Sequence, residues 1–332
     1  MSLEKVRWAV VGTGYIANQF AMGLGEVQDA VLAAVVSRRR ASGEEYAAKY
    51  GGGAVYTSLG EMLKEARPDV VYIATPNDCH FEAIGQALEA GVPVLSEKPM
   101  VDTVAQLDEV CAKARSKGLF LMEGMWTRCF PAVRQAAKWI AEGRIGRPRT
   151  VRASFDIATD PDDWQVWKGG IAHAGGALRD VGIYSLAMAG LAFPEVPERI
   201  FTAVKTNGEV DHCFRMLADY GEGRTALLGG AFDQAGETQA EIVGEKGRIV
   251  LGPLLWKPDT AQLEENDGSV ETFHEPYPAS GFQFEIRMVQ ECLRTGKKEC
   301  PYYTWEEIER IAGIIERTRK EWGIIYKADG EV

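Results

Sequence analysis

The feature that most constrains this chain lies at its start. Val6–Val11 is an apolar, β-rich run that breaks into Gly12-Thr13-Gly14-Tyr15-Ile16-Ala17, and Ile16–Leu24 follows with helical spacing. A buried strand that ends in GxGxxA and feeds a helix is built to cradle a pyrophosphate. Its glycines allow a tight turn and close backbone approach, and a small residue in the last slot lets helix meet strand. The helix N-terminus adds open N–H groups and the positive end of its dipole. The loop therefore predicts dinucleotide binding, with Gly12, Thr13, Gly14, Tyr15 and Ile16 as contacts.

The segments that follow alternate regularly. Apolar runs at Val31–Ser37, Ala54–Thr57, Val70–Thr75, Val92–Ser96 and Leu119–Glu123 are separated by helical stretches, among them Leu59–Ala66 behind Ser58 and Thr103–Lys117 before Gly118. Strands apolar on both faces, alternating with amphipathic helices, predict a parallel, doubly wound sheet. Residues 1–125 read as one Rossmann domain. Its second strand ends in Ser37-Arg38-Arg39-Arg40, where an NAD enzyme usually carries an acid for the ribose hydroxyls. A hydroxyl and guanidinium groups suit a 2′-phosphate instead. Ser37, Arg38 and Arg39 therefore predict NADP as the cofactor, with NAD as the second choice.

Beyond residue 125 the pattern changes. Partly alternating runs at Thr150–Ile157, Arg199–Lys205, Cys213–Tyr220, Arg224–Phe232, Thr238–Val243 and Arg248–Leu251 are broken by glycine turns, with helical stretches at Ala132–Glu142, Leu178–Ala189, Phe282–Leu293 and Trp305–Glu321. Residues 126–332 therefore read as an α+β substrate-binding and oligomerisation domain, its large open sheet mostly antiparallel and covered by helices on one face. The apolar Leu227, Leu228 and Phe232 suggest that a second subunit covers the other face, giving a homodimer or homotetramer. The helix near 305–321 is expected to pack back on the first domain.

Composition narrows the partners. The formal net charge of -11 disfavours nucleic acid. No apolar run approaches the length of a membrane span. The six cysteines form no CxxC pair, and the N-terminal segment lacks the apolar stretch of a signal peptide. These traits fit a cytoplasmic protein. No metal is expected: Asp211, His212 and Cys213 are adjacent on a strand, and strand neighbours point to opposite faces.

Three further motifs complete the pattern. Thr75-Pro76-Asn77-Asp78-Cys79-His80 follows the fourth strand, Glu97-Lys98-Pro99 follows the fifth, and Gly175-Gly176-Ala177-Leu178-Arg179-Asp180-Val181-Gly182-Ile183-Tyr184 lies in the second domain. Together with the glycine loop, and over essentially the whole chain, they resemble the glucose-fructose oxidoreductase / inositol dehydrogenase / MocA family. Met122-Glu123-Gly124-Met125-Trp126-Thr127-Arg128 looks most like its dimeric dihydrodiol dehydrogenase and NADP-dependent xylose dehydrogenase branch. The resemblance implies that Lys98 is catalytic, with Asp180 and Tyr184 beside it. It also implies that Thr75, Pro76, Asn77, His80 and Glu97 border the cofactor. In the inositol dehydrogenase branch the last slot is histidine, and tyrosine here points to the diol and sugar branch. Such chains often carry Trp-Arg where this one reads Trp164-Gln165-Val166-Trp167-Lys168.

The residues themselves support the chemistry. Removing a hydride from an alcohol carbon requires a base for the hydroxyl proton. A free tyrosine, with a pKa of about 10, is a poor one. A nearby ammonium favours the phenolate, so a Lys98–Tyr184 pair would make a competent general base, or an acid in reverse. Asp180, four residues before Tyr184, shares its helix face and would orient Lys98 or hold a substrate hydroxyl. Trp126, Arg128 and Phe155 are the candidate substrate contacts, since aromatic faces suit sugar rings and apolar diols. The expected activity is NADP-dependent dehydrogenation of a sugar, polyol or vicinal diol. The alternatives are a sugar–sugar oxidoreductase with tightly held NADP, and an NADP-binding sensor without turnover.

Overall fold

The computed structural model describes residues 5–159, 170–236 and 238–330. Trp164, Trp167 and Lys168 lie outside the described residues. The described chain divides into two compact units, Met1–Trp126 with Tyr277–Trp305, and Thr127–Pro276 with Glu306–Val332.

The first unit holds a parallel sheet of six strands in the order β3-β2-β1-β4-β5-β6. These are β1 (Val6–Val11), β2 (Ala30–Val36), β3 (Ala54–Tyr56), β4 (Val70–Ile73), β5 (Val94–Glu97) and β6 (Leu121–Gly124). Between them run α1 (Tyr15–Gly25), α2 (Arg40–Lys49), α3 (Leu59–Glu65), α4 (His80–Glu89) and α5 (Val104–Lys117). Local chemistry sets their ends. Ser58 accepts the N–H of Glu61 to cap α3, Thr103 accepts that of Gln106 to cap α5, and Gly118 ends α5 at φ +64°. All four residues of β4 and of β5 are buried, as a sheet covered on both faces requires.

The division differs from the sequence reading in one respect. Helix α8 (Phe282–Arg294) belongs to the first unit, although the sequence places it in the second domain. Its apolar face explains why: Phe282 packs on Phe20 and Tyr72, and its backbone approaches Gly23 of α1 so closely that a Cβ there would collide with it. Ser280 donates to the Gln19 carbonyl, and Gln290 and Arg294 bond to Asp29. Helix α9 (Trp305–Glu321) begins in the first unit with Trp305, whose indole donates to the Leu121 carbonyl, and groups with the second unit from Glu306 onward.

The second unit is built on eight strands in the order β14-β13-β12-β11-β7-β10-β9-β8. They are β7 (Pro148–Asp156), β8 (Arg199–Thr206), β9 (Asp211–Asp219), β10 (Thr225–Ala231), β11 (Ala240–Gly244), β12 (Gly247–Gly252), β13 (Thr260–Glu265) and β14 (Val270–His274). All pairings are antiparallel except β7 with β10. Helices α6 (Pro131–Ala141) and α7 (Ile183–Ala192) pack on it, α6 against β12–β14 and α7 against β7, β10 and β11. The α/β and α+β architecture of the sequence reading stands.

The cross-strand register sorts the two faces. Met216, Leu228, Ala153, Ala240, Leu251 and Ala261 form one aligned row across the sheet, and all are buried. The next row, Phe201, Leu217, Leu227, Arg152 and Glu241, lies on the opposite face. Leu227 and Leu228 therefore cannot share a face as the sequence reading supposed. Leu228 and Phe232 are core, while Leu227 and Phe201 are exposed.

Candidate functional site

The parallel register brings the carboxyl ends of β1, β2, β4 and β5 together, where open α/β sheets bind ligands. Gly12 leaves β1 at φ +104°, bonded through its N–H to the Val36 carbonyl of β2. A Cβ at Gly12 would collide with the Ala74 carbonyl, so the turn admits no side chain. Gly14 caps α1 without a side-chain bond, and a Cβ built on it meets nothing within 4 Å. An open N-terminus beside empty space is what a pyrophosphate needs. Thr13 and Ser37 approach each other at 3.4 Å, while the Tyr15 ring points to solvent.

Sequence reading missed one residue of this loop. The Asn18 amide donates to the carbonyls of Thr13 and Gly14, and its oxygen accepts from Tyr50 and Lys49. Asn18 thus stitches the glycine loop to α2. Its signal was legible only as a polar residue on the first turn of a helix.

At the end of β2, Ser37 is buried and Arg38 and Arg39 are exposed, with no carboxylate among them. Arg40 donates to the Val55 carbonyl and is used structurally. Burial and then Asp78 push the Cys79 thiol upward, and Arg38 is near enough to oppose them, which sets it beside the loop after β4. A cationic, hydroxyl-bearing rim next to the pyrophosphate turn fits a phosphorylated dinucleotide.

The loops after β4 and β5 are fastened to each other. His80 is fully buried, one ring nitrogen 2.9 Å from the Thr75 carbonyl and the other 3.0 Å from that of Pro99. It braces the two loops that the sequence reading sets beside the cofactor. Glu97 is likewise turned inward: Tyr72 donates to its Oε1 at 2.5 Å, and the Lys98 N–H donates to its Oε2. The Lys98–Pro99 peptide is cis. Glu123 accepts the Met100 N–H and holds the far side of the loop. Within Val94–Met100 only Lys98 is not buried. Below them Glu285 has neither carboxylate oxygen bonded; burial and then the Glu97 charge push it well above the usual carboxylate range. Trp126 packs on Phe282, their ring centroids 4.5 Å apart.

The second unit carries the other candidates. A π-helical turn, Leu178–Gly182, opens α7, and Asp180 and Tyr184 lie on it one turn apart. The Tyr184 ring is 5.6 Å from that of Phe155, which stacks on Trp256 at 3.8 Å with an interplanar angle of 3°. Trp256 was not singled out in the sequence, lying in the loop after β12 outside every motif; Thr127 fixes it through a bond to its carbonyl. Arg128, a sequence candidate for substrate contact, is buried and bonded to Glu307, so its charge is already committed. The turn is anchored by Asp211, which accepts the Leu178 N–H at 2.6 Å.

Burial raises the Asp211 carboxyl from 3.8 to about 6, against the opposing pull of the Leu178 N–H, its own N–H and Arg179. The folded state thus holds the proton more tightly than the unfolded one. The stability due to this group is complete below pH 3.8 and is lost as pH rises through 6. Asp211→Asn does not ionise. Its unfolding free energy relative to the native protein should therefore rise by on the order of 2 kcal/mol from about pH 4 to about pH 7. Urea unfolding of both proteins measures this, and a flat or falling difference would exclude a buried, titrating Asp211.

Comparison with known proteins follows the same outline. Residues 6–125 match the oxidoreductase family with an NAD-binding Rossmann fold, and residues 133–250 match the GFO/IDH/MocA C-terminal domain. The chain is 33% identical over 340 residues to trans-1,2-dihydrobenzene-1,2-diol dehydrogenase of Mus musculus, covering 98% of this chain and 99% of that one. The Homo sapiens enzyme of the same name is 32% identical with the same coverage. Among solved structures, a 3-ketoreductase from Actinomadura kijaniata in complex with NADP and TDP-benzene superposes with a TM-score of 0.81 at 28% identity, covering 96% of this chain and 98% of that one. An aldose-aldose oxidoreductase from Caulobacter crescentus gives 0.83 at 26% identity, with 96% and 98% covered.

Proposed function

Because the chain belongs to the glucose-fructose oxidoreductase / inositol dehydrogenase / MocA family of oxidoreductases, we propose that it is an NADP-dependent dehydrogenase of a cyclic vicinal diol, sugar or polyol. The observation that carries this reading is the Tyr184 phenol set beside the flat Phe155–Trp256 stack. An aromatic wall next to a proton-transferring group suits a ring bearing hydroxyls on one edge. The names of the mouse and human relatives support the diol, and those of the solved structures support sugars.

NADP, held by Gly12–Ile16 with its 2′-phosphate on Ser37, Arg38 and Arg39, supplies the hydride acceptor. The remaining work falls to the chain. Tyr184 takes the hydroxyl proton of the substrate in oxidation and returns it in reduction. In this reading Lys98 assists that proton transfer. Asp180 orients a substrate hydroxyl or Lys98. Phe155 and Trp256 exclude water and hold the ring, and Trp126 contributes a further apolar surface. A second reading, direct oxidoreduction between two sugars on a retained cofactor, is favoured by the likeness to the aldose-aldose oxidoreductase.

We further propose that the open face of the second unit's sheet is covered by a second copy of the chain. Phe201 and Leu227 are about half exposed there, beside Arg152 and Glu241, which pair with each other. An apolar strip flanked by paired charges can meet its own copy.

Three measurements test these readings. Trans-dihydrodiols, aldoses and inositols are offered with NADP⁺ or NAD⁺, and nicotinamide absorbance is followed. Turnover with NADP⁺ is expected, and Tyr184→Phe should lower kcat by about a hundredfold or more while NADP⁺ still binds. Turnover that survives in the variant would remove Tyr184 from proton transfer, and NADP that leaves only on denaturation would favour the second reading. Arg38→Ala should weaken NADP⁺ by about tenfold or more and leave NAD⁺ within about twofold, as expected for one charge-assisted bond to phosphate; equal losses would refute the 2′-phosphate assignment. In sedimentation the native chain should run as a dimer or larger and Leu227→Asp as a smaller species; a native monomer would refute the sheet interface.

A further inference from the structure

The Gly175–Gly176 loop is held by a segment more than 140 residues away in sequence. The Tyr326 hydroxyl donates to the Gly175 carbonyl at 2.6 Å. Gly176 stands at φ +125°, and a Cβ there would collide with Asp211 Oδ1. The next turn begins at once: Leu178 donates to Asp211 Oδ2, and Asp180 N–H donates to the Gly176 carbonyl at 3.0 Å. Tyr326 therefore grips the residue immediately before the one whose carbonyl starts the helical turn bearing Asp180.

Tyr326 is itself held from several sides. Its ring lies under two buried guanidinium groups, that of Arg319 at 4.2 Å and that of Arg179 at 5.0 Å. Two cations on one buried ring are a costly arrangement unless both are compensated. Arg319 is compensated by a bidentate pair with Asp329 at 2.7 and 2.8 Å and by the Ile324 carbonyl. Arg179, the residue before Asp180, lies in the field of the Asp211 carboxylate. Asp329 also accepts the Tyr326 N–H at 2.7 Å. Although burial works against it, the contacts to Arg319, the Tyr326 N–H and Lys320 hold the Asp329 carboxyl down at about 2, so it stays charged at working pH. Ile324 and Tyr326 close the cluster with Ala174 and Val210, under Ile171 and Trp322.

We infer that Ile324–Asp329 is a latch that positions the catalytic turn, with Tyr326 as its positioning residue and Arg319–Asp329 as its fastening. Tyr326 acts through Gly175 and Arg179, fixing where Asp180 and Tyr184 stand. The kinetic half of this inference rests on the dehydrogenase reading above, while the structural half does not.

The test uses the full-length chain with Tyr326→Phe and Tyr326→Leu. The first removes the hydroxyl that bonds Gly175, and the second also removes the ring under both arginines. Amide hydrogen exchange of the peptide spanning residues 175–186 should quicken by about tenfold in Phe and further in Leu, with peptides of α5 unchanged. In turnover, kcat should fall by about tenfold in Phe, with the NADP⁺ dissociation constant held within about twofold, because misplacing a reacting group slows chemistry without touching the cofactor loop. A stabilising role alone would lower the thermal midpoint and leave kcat per folded molecule unchanged, which would overturn the inference. Unchanged exchange at 175–186 in both folded variants would overturn it too. If the native chain has no turnover, the dehydrogenase reading fails, and exchange alone decides whether the latch exists.

Discussion

Parallel pairing of β1 with β2 and β4 levels the carboxyl ends of these strands, and all that the first unit offers a ligand hangs from that alignment. The Gly12 N–H reaches across to the Val36 carbonyl, and the Ala74 N–H reaches to that of Val11. Each loop thus begins from a fixed point on its neighbour. His80 then ties the third loop to the fourth through the Thr75 and Pro99 carbonyls. With both carboxylate oxygens of Glu97 turned inward as well, Lys98 is the one residue of its motif that is not buried. The motif residues divide into those that face outward and those that hold them there, and burial separates the two.

The second unit solves the same problem differently. It has no level row of strand ends, and its candidates sit on a helical turn that must be fastened from outside. The fastening is polar and buried, from Asp211, Arg179, Tyr326, Arg319 and Asp329. Such a network fixes direction where apolar packing fixes only distance, since a hydrogen bond fails when its angle drifts. The aromatic pair beside Tyr184 completes the arrangement with a flat, dry surface.

Periodicity and punctuation made the first unit legible before any coordinates. Continuous apolar runs and glycine stops mark all six strands, and Ser58, Thr103 and Gly118 cap where their residue types predict. Less was legible in the second. Strand β14 is polar, edge-lying and mostly exposed, and β13 beside it buries only Ala261 and Leu263, so Thr260–Glu265 and Val270–His274 offer too short an apolar signal to be read as strands. Helix α8 was recognisable as a helix, but its partner was not, because an amphipathic stripe does not name the surface it will meet. The same limit explains Leu227 and Leu228: both are apolar, and only the register decides which one faces water. Arg128 and His80 carry the chemistry of binding residues, yet tertiary contacts absorb both. Trp256 and Tyr326 lie outside every motif and matter through where the chain returns to, which is not a local property.

Asp211 and Asp329 show what this positioning demands. One carboxylate gains so much from its partners that its pKa is held down at about 2, and the other is buried at a cost that raises it to about 6. A carboxyl that ionises against its environment weakens the fold at neutral pH, and Asp211 is such a group. Yet it occupies the one place where an acceptor can meet the Leu178 N–H and lie beside Arg179, directly before Asp180. An apolar residue there would leave a buried N–H unsatisfied and take a carboxylate away from Arg179, and together these losses exceed the ionisation of one acid. The stability forgone at Asp211 is therefore bound up with the geometry of the turn, and the Arg319–Asp329 pair restores part of it on the other side of the same tyrosine.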